Sequence, residues 1–224
     1  MAPLSRLDLG AWTFVASSRA DGDVGPRAPG SAARWSTLAE GRRVIGLRQT
    51  HGTEVVVVAD DVEPVDGTAG DCLVTERSDL ALIVVTADCA PIGLVCGSVG
   101  AVVHAGWKGL VSGIVERSVD VVRALAASDE PVSAVLGPCI HPSSYAFGLG
   151  DLAMLTDRFG EVVRAVTTDG EPAFDLATAV HTVLNELEVT VHMDLWADTA
   201  CSAYFSHRVR HDAERQGLLA WRRT

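Results

Sequence analysis

The sequence predicts an α+β protein, and three observations carry that prediction. Between residues 43 and 104 the chain strings together short runs rich in Val, Ile and Leu, separated by turn signals. Beyond residue 110 the apolar residues recur at helical spacing instead. Several of the short runs are continuously apolar rather than alternating, as in "LALIVV" at 80–85, which is the pattern of strands covered on both faces. Strands first and helices after make α+β the natural class.

The elements follow in order. A first strand is expected near 11–17. The stretch 19–36, rich in Gly, Pro, Ala and Asp, reads as a mobile loop. The runs 43–49, 54–58, 72–76, 80–85, 92–96 and 100–104 each read as a strand. Residues 110–128 place Leu110, Ile114, Val121, Val122 and Leu125 on one side of a helix. A shorter helix over 150–160 is closed by Gly160. A third, over 175–188, starts at Asp175 as N-cap and carries the stripe Leu176, Val180, Val183, Leu184 and Leu187. No linker composition and no repeat interrupts the chain, so residues 1–224 are expected to form one domain.

Bulk composition excludes some functions. Hydrophobic residues make up 48% of the 224, enough for a substantial core. With 18 Lys and Arg against 29 Asp and Glu the net charge is −11, which argues against a nucleic-acid partner, since phosphate contacts need clustered cations. A small anionic ligand held by local donors is not excluded. The opening residues 1–12 lack the apolar core of a secretory signal, and the longest apolar runs fall far short of the roughly 20 residues that span a bilayer. No membrane partner and a cytoplasmic location are expected. Five cysteines, at 72, 89, 96, 139 and 201, are odd in number and contain no CxxC pair, which fits free thiols in a reducing compartment.

Chemistry concentrates at strand ends. His51, Cys89 and His104 each close a predicted strand, where a rigid sheet aims the side chain and the following loop gives access. Two His and one Cys give a metal three ligands and one open position, the layout of a catalytic zinc site. The long separations between them exclude a zinc-finger pattern. Without a metal, the same residues read as a Cys89 thiolate with His104 as its base. Asp88 is placed to orient a partner or move a proton in either scheme.

Around these lie candidate ligand contacts. Gly106 and Gly109 leave backbone N–H groups accessible where the helix predicted at 110–128 begins, with Lys108 beside them, an arrangement suited to phosphate. Arg208 in "YFSHRVR" is a second candidate for phosphate or substrate. Cys139, in the Gly-Pro turn of "VLGPCIHP", is a candidate lining residue, and His141 two positions on is a possible extra ligand. His181 and His192 read as structural and His211 as a surface residue.

Taken together, "QTHGTEV", "GDCLVT", "TADCAPIGLV", "HAGWKGL", "LGPCIHPSSY" and "YFSHR" resemble, in that order, the YfiH-like (DUF152) family, over roughly residues 10–222. Members are variously described as multicopper polyphenol oxidoreductases or laccases, purine nucleoside phosphorylases and peptidoglycan editing factors. The resemblance implies an α+β fold with a β-sandwich core flanked by helices, similar to bacterial cytotoxic necrotizing toxins, which use a Cys–His dyad. It implies a metal set of His51, Cys89 and His104, holding zinc or, in the laccase claims, copper. The implied substrates are purine nucleosides and phosphate. The implied reactions are phosphorolysis of adenosine, inosine, guanosine and methylthioadenosine, and hydrolytic deamination of adenosine. The alternatives it keeps open are an editing role on cell-wall precursors, a metal-independent cysteine hydrolase and a copper phenol oxidase. The last ranks low, because the seven histidines offer no HxH pairs for a copper cluster. The chain departs from the family pattern at Lys108, where arginine is usual, and at His207, Val209 and Leu218 near the C-terminus. Those departures bear on substrate preference.

Overall fold

The computed structural model describes residues 6–60, 62–126 and 130–223. The chain opens with a hairpin of β1 (Arg6–Leu9) and β2 (Trp12–Ala16), turning on Gly10 at φ 55, a conformation glycine adopts without a Cβ penalty. After α1 (Ser31–Leu38) come β3 (Arg43–Gly46), β4 (Val55–Val58), β5 (Cys72–Thr75), β6 (Leu80–Thr86), β7 (Ala90–Cys96) and β8 (Val99–Ala105). Then follow α2 (Trp107–Val111), α3 (Ile114–Ala126), β9 (Ser133–Leu136), α4 (Leu149–Phe159), β10 (Arg164–Val166), β11 (Pro172–Phe174), α5 (Leu176–Glu186), β12 (Thr190–His192), α6 (His207–Arg210) and β13 (Gln216–Arg222).

These strands form two large mixed sheets and one small one. One large sheet has the order β1-β2-β13-β6-β3, the other β12-β9-β7-β8-β5-β4, and β10 pairs with β11. The two large sheets share a core. Trp12, Phe14, Leu82, Val84 and Leu218 from the first meet Leu73, Val95, Val102 and Val135 from the second, all buried. Two glycines make this possible. A Cβ on Gly93 would run into the Phe14 ring, and one on Gly100 into the Trp12 ring, so each glycine is the socket for an aromatic of the opposite sheet.

Helices cover the outer faces. Ile92, Leu94, Ala101, Val103 and Leu136 pack on Ile114 and Val119 of α3, Leu152 and Leu155 of α4, and Val180 and Leu184 of α5. On the other side Ile83, Leu219 and Trp221 pack with Trp35 and Leu38 of α1. Each buried aliphatic side chain contributes roughly 1.5–3 kcal/mol relative to exposure. Central strands apolar on both faces are what this layering requires, which explains the unbroken runs in β6, β7 and β8.

The predicted α+β class and sandwich core match the structure, and several elements differ in detail. The helix expected at 110–128 is two helices, because Ser112 and Gly113, at φ 92, break it. The buried face of α3 is Ile114, Val115, Ser118, Val119 and Val122, with Val121 partly buried against the same core and Leu125 exposed; residues 127 and 128 lie outside the described residues. The loop expected at 19–36 ends in α1, whose Trp35 indole donates to Val24 O at 2.8 Å. Sequence periodicity missed β1, β10, β11 and above all β13, which enters the first sheet between β2 and β6. The helices expected at 150–160 and 175–188 form as α4 and α5, with the Asp175 side chain accepting the Thr178 N–H at 2.9 Å. Residues 1–5, part of the stretch read as lacking a leader, lie outside the described residues. Among the described residues no helix is long and apolar enough to cross a membrane.

Candidate metal centre

His51 and Cys89, from two separate connections, and His104, from a strand, meet at one edge of the sandwich. His104 is the penultimate residue of β8 and is buried. Cys89 sits in the tight connection between β6 and β7 and is half-buried. His51 lies on the turn after β3. There Gln49 continues the strand pairing with its side chain, donating to Val85 O at 2.7 Å and accepting the Val85 N–H at 2.8 Å. His51 itself is left-handed, at φ 60, a conformation few non-glycine residues adopt.

The three donor atoms lie within 4.8 Å of one another. Cys89 Sγ is 3.7 Å from His51 Nε2, near the roughly 3.6 Å that bonds of about 2.0–2.3 Å at a tetrahedral angle impose. The two imidazoles meet edge to face, with centroids 4.7 Å apart and planes at 78°. His104 Nδ1 is 2.8 Å from Asp71 Oδ1. A carboxylate accepts only, so Nδ1 carries the proton and Nε2 is left as the ligand nitrogen. Gly106 keeps the space open, since a Cβ there would lie 2.6 Å from His51 Cδ2 and 3.1 Å from Cys89 Sγ. Two imidazoles and one thiol within bonding reach of a shared centre fit a borderline metal such as zinc, and the residues present therefore suit the group.

Electrostatics describe the metal-free site, where the sulfur and the His104 ring favour opposite charges and a metal on Nε2 would displace that ring's second proton. Burial opposes a thiolate at Cys89, yet the two neighbouring histidines bring the thiol down to about 6. Burial also opposes charge on His104, but the Cys89 sulfur and Asp71 raise it to about 9. Asp71 is likewise buried; hydrogen bonds from His104, Thr50 and Gly52 outweigh that and hold its carboxyl well below the usual range.

Asp88 precedes the cysteine at φ 93. Its Oδ1 accepts from Thr199 Oγ1 at 2.9 Å and its Oδ2 from the Arg208 N–H at 2.6 Å, so both oxygens are engaged in the C-terminal segment. That contact ties the Arg208 backbone to the residue before Cys89. Its guanidinium donates to Ala146 O at 2.6 Å and lies over the Tyr145 ring at 4.6 Å and the Phe147 ring at 5.6 Å. Phe147 meets Trp107 edge to face at 5.8 Å. Lys108, one position on, is exposed with Nζ 5.4 Å from the Trp107 ring.

Of the other predicted positions, Cys139 lies next to the cysteine connection, with the Ile140 N–H donating to Asp88 O at 3.0 Å, but is not one of the three donors. Cys139 is buried, with burial pushing its thiol up to about 12, and its backbone is held by Ala197 and Thr199. His141 is exposed and its Nδ1 is taken by Ser143, so it stands outside the donor group. The anion nest expected at the start of a long helix is instead the start of the five-residue α2. Sequence reasoning missed the role of Asp71 and read Gly106 only as an anion-nest donor, and it missed the ring pair Trp107 and Phe147. The first two stood inside quoted motifs as "GDC" and "HAG", but nothing local shows that a carboxylate will orient a histidine 33 residues away.

The fold and site together define an α+β sandwich with a His–Cys–His group at its edge that could bind a metal. The family model described as multi-copper polyphenol oxidoreductase laccase matches residues 30–223, and the chain belongs to that family. Among curated relatives, a purine nucleoside phosphorylase of Mycobacterium tuberculosis is 34% identical over 188 residues, covering 81% of this chain and 73% of that protein. One from Streptomyces griseus is 35% identical over 193 residues, covering 80% and 74%. Among solved structures, the YfiH protein of Bacillus licheniformis superposes with a TM-score of 0.81 at 20% identity over all of both chains. The NMB0706 protein of Neisseria meningitidis gives 0.81 at 23% identity, over 98% of this chain and all of that one. The two structures share the fold.

Proposed function

We propose that the protein is a zinc-dependent purine nucleoside phosphorylase acting in the cytoplasm, which also cleaves methylthioadenosine and deaminates adenosine. The observation that carries this reading is the convergence of His51, Cys89 and His104 beside an aromatic and cationic wall, in a chain whose relatives bear the phosphorylase name. His51, Cys89 and His104 would hold the ion. When bound, such an ion supplies Lewis acidity, polarising an oxygen of phosphate or water.

The rest falls to the chain. Trp107 and Phe147 offer ring surface for a purine base. Lys108 and Arg208 supply positive charge for phosphate in a protein whose net charge is −11, so local cations must overcome a repulsive background. Phosphorolysis then proceeds by positioning: a phosphate oxygen bonds to the anomeric carbon, the carbon–nitrogen bond to the base breaks, and the base leaves with its electron pair and takes up a proton. Asp88, the candidate for proton transfer, already accepts two hydrogen bonds, so in this reading it aims Cys89 and Arg208.

The test is inosine and adenosine turnover by purified protein with and without phosphate. Phosphate-dependent release of hypoxanthine is expected; release that ignores phosphate defeats the reading. One observation favours a second reading. A Cys89 thiol lowered to about 6 beside His51 is also what a cysteine hydrolase needs. That enzyme would keep full activity in chelator and lose it to iodoacetamide.

A further inference from the structure

We propose that Asp71 is the positioning residue of the centre: one buried carboxylate fixes which nitrogen His104 presents and shapes the turn that carries His51. The proposal deepens the metal reading above and rests on it.

The sheet register sets up the pairing. Cys72 of β5 is opposite Val103 of β8, so Asp71 falls opposite His104, and the His104 N–H donates to Asp71 O at 2.7 Å. The side chains repeat the contact through Nδ1 and Oδ1. The same carboxylate, with no exposed surface, gathers the turn around itself. Oδ1 accepts from the His51 N–H at 2.9 Å, and Oδ2 from the Gly52 N–H and the Thr50 hydroxyl, both at 2.8 Å. The Thr50 N–H is shared between the two oxygens, at 3.1 and 3.2 Å. Left-handed His51 is thereby tied on both sides and through its own N–H.

Every partner of this carboxylate is a donor, so the position demands an acceptor-only group. An asparagine turns an N–H against a donor in either orientation. With its nitrogen on the Oδ1 side it opposes the His51 N–H, and donation to His104 Nδ1 would move the ring proton to Nε2, the nitrogen a metal needs. With its nitrogen on the Oδ2 side it opposes the Gly52 N–H. Either way a buried polar pair is lost, and the charge that favours the Nδ1–H form goes with it.

The experiment is zinc affinity by competition with a chromophoric chelator, on wild type, Asp71→Asn and Thr50→Val. Asp71→Asn is expected to weaken zinc binding by about 10–100-fold. Thr50→Val removes a tether of the turn but leaves the His104 bond, and is expected to weaken binding less. Wild-type affinity in Asp71→Asn overturns the proposal, and so does an equal loss in both variants, which would assign the effect to the turn alone. If Asp71→Asn does not fold, nitrogen-15 histidine NMR of zinc-loaded wild type decides. A slowly exchanging proton on His104 Nδ1 is expected, and metal bound through Nδ1 overturns the role. Wild type that takes up no zinc defeats the metal reading and this inference with it.

Discussion

The two walls of the proposed site are built differently. On one, His51, Cys89 and His104 are held from behind: His104 is buried on a central strand, His51 sits on a turn wrapped around Asp71, and Asp88 pins the cysteine connection to the C-terminal segment. On the other, Lys108 and Arg208 are exposed, and their charged ends rest on aromatic rings and one carbonyl. The difference teaches that the donor geometry belongs to the fold, whereas the cationic wall is an adaptable surface. Damage to the first should abolish chemistry, and damage to the second should mainly weaken substrate binding.

The largest effect is expected at the centre itself. Cys89→Ala should lower kcat/KM for phosphorolysis on the order of 10³-fold or more, exceeding the loss of one well-placed hydrogen-bond donor. Steady-state kinetics with inosine measure it, and a small loss would mean the sulfur is a bystander. Next, Gly106→Ala should cost about 10²-fold in kcat, because a Cβ 2.6 Å from His51 Cδ2 must displace the ring by a fraction of an ångström or more. Kinetics paired with a melting curve separate this from unfolding; an unaffected kcat would show that the ring yields without consequence.

The pH response sharpens the contrast further. Cys89 is shifted below an ordinary thiol, so its thiolate is present above about 6 and is lost as pH falls through that value. Alkylation of the metal-free protein by iodoacetamide should therefore rise about tenfold from pH 5 to 7 and flatten above, since the thiolate is the nucleophile. A rate still climbing through pH 8 would mean the histidines do not lower the thiol. The smallest effect belongs to the exposed wall. Lys108→Ala or Arg208→Ala should raise the KM for phosphate about threefold to tenfold with kcat nearly unchanged, as expected for one partly solvated ionic contact. A collapse of kcat in either variant would place that residue with the buried wall.

How far the sequence could be read follows the same division. His51, Cys89 and His104 were legible as a donor set because each closes or follows an apolar, strand-like run, although only His104 lies within a strand. The apolar runs of β6 to β8 announced burial on both faces, and Asp175 and Gly160 marked helix ends by local chemistry. What was hidden is whatever depends on chain reversal over long distance. Strand β13 lies between β2 and β6, pairing with residues more than 100 positions earlier, which no local pattern announces. Asp71 orients a histidine through sheet register, and Asp88 finds Thr199 across 111 positions. The break at Gly113 was visible as a glycine, but helical periodicity on either side concealed it.

The central claim is that His51, Cys89 and His104 form one metal centre. Its most direct test is the metal content of purified wild type and Cys89→Ala, measured by elemental analysis alongside inosine turnover in the presence and absence of chelator. The account predicts about one zinc per wild-type chain, little in the variant, and turnover that falls with the metal and returns when it is restored. Wild type without bound metal that retains full activity in chelator would contradict it.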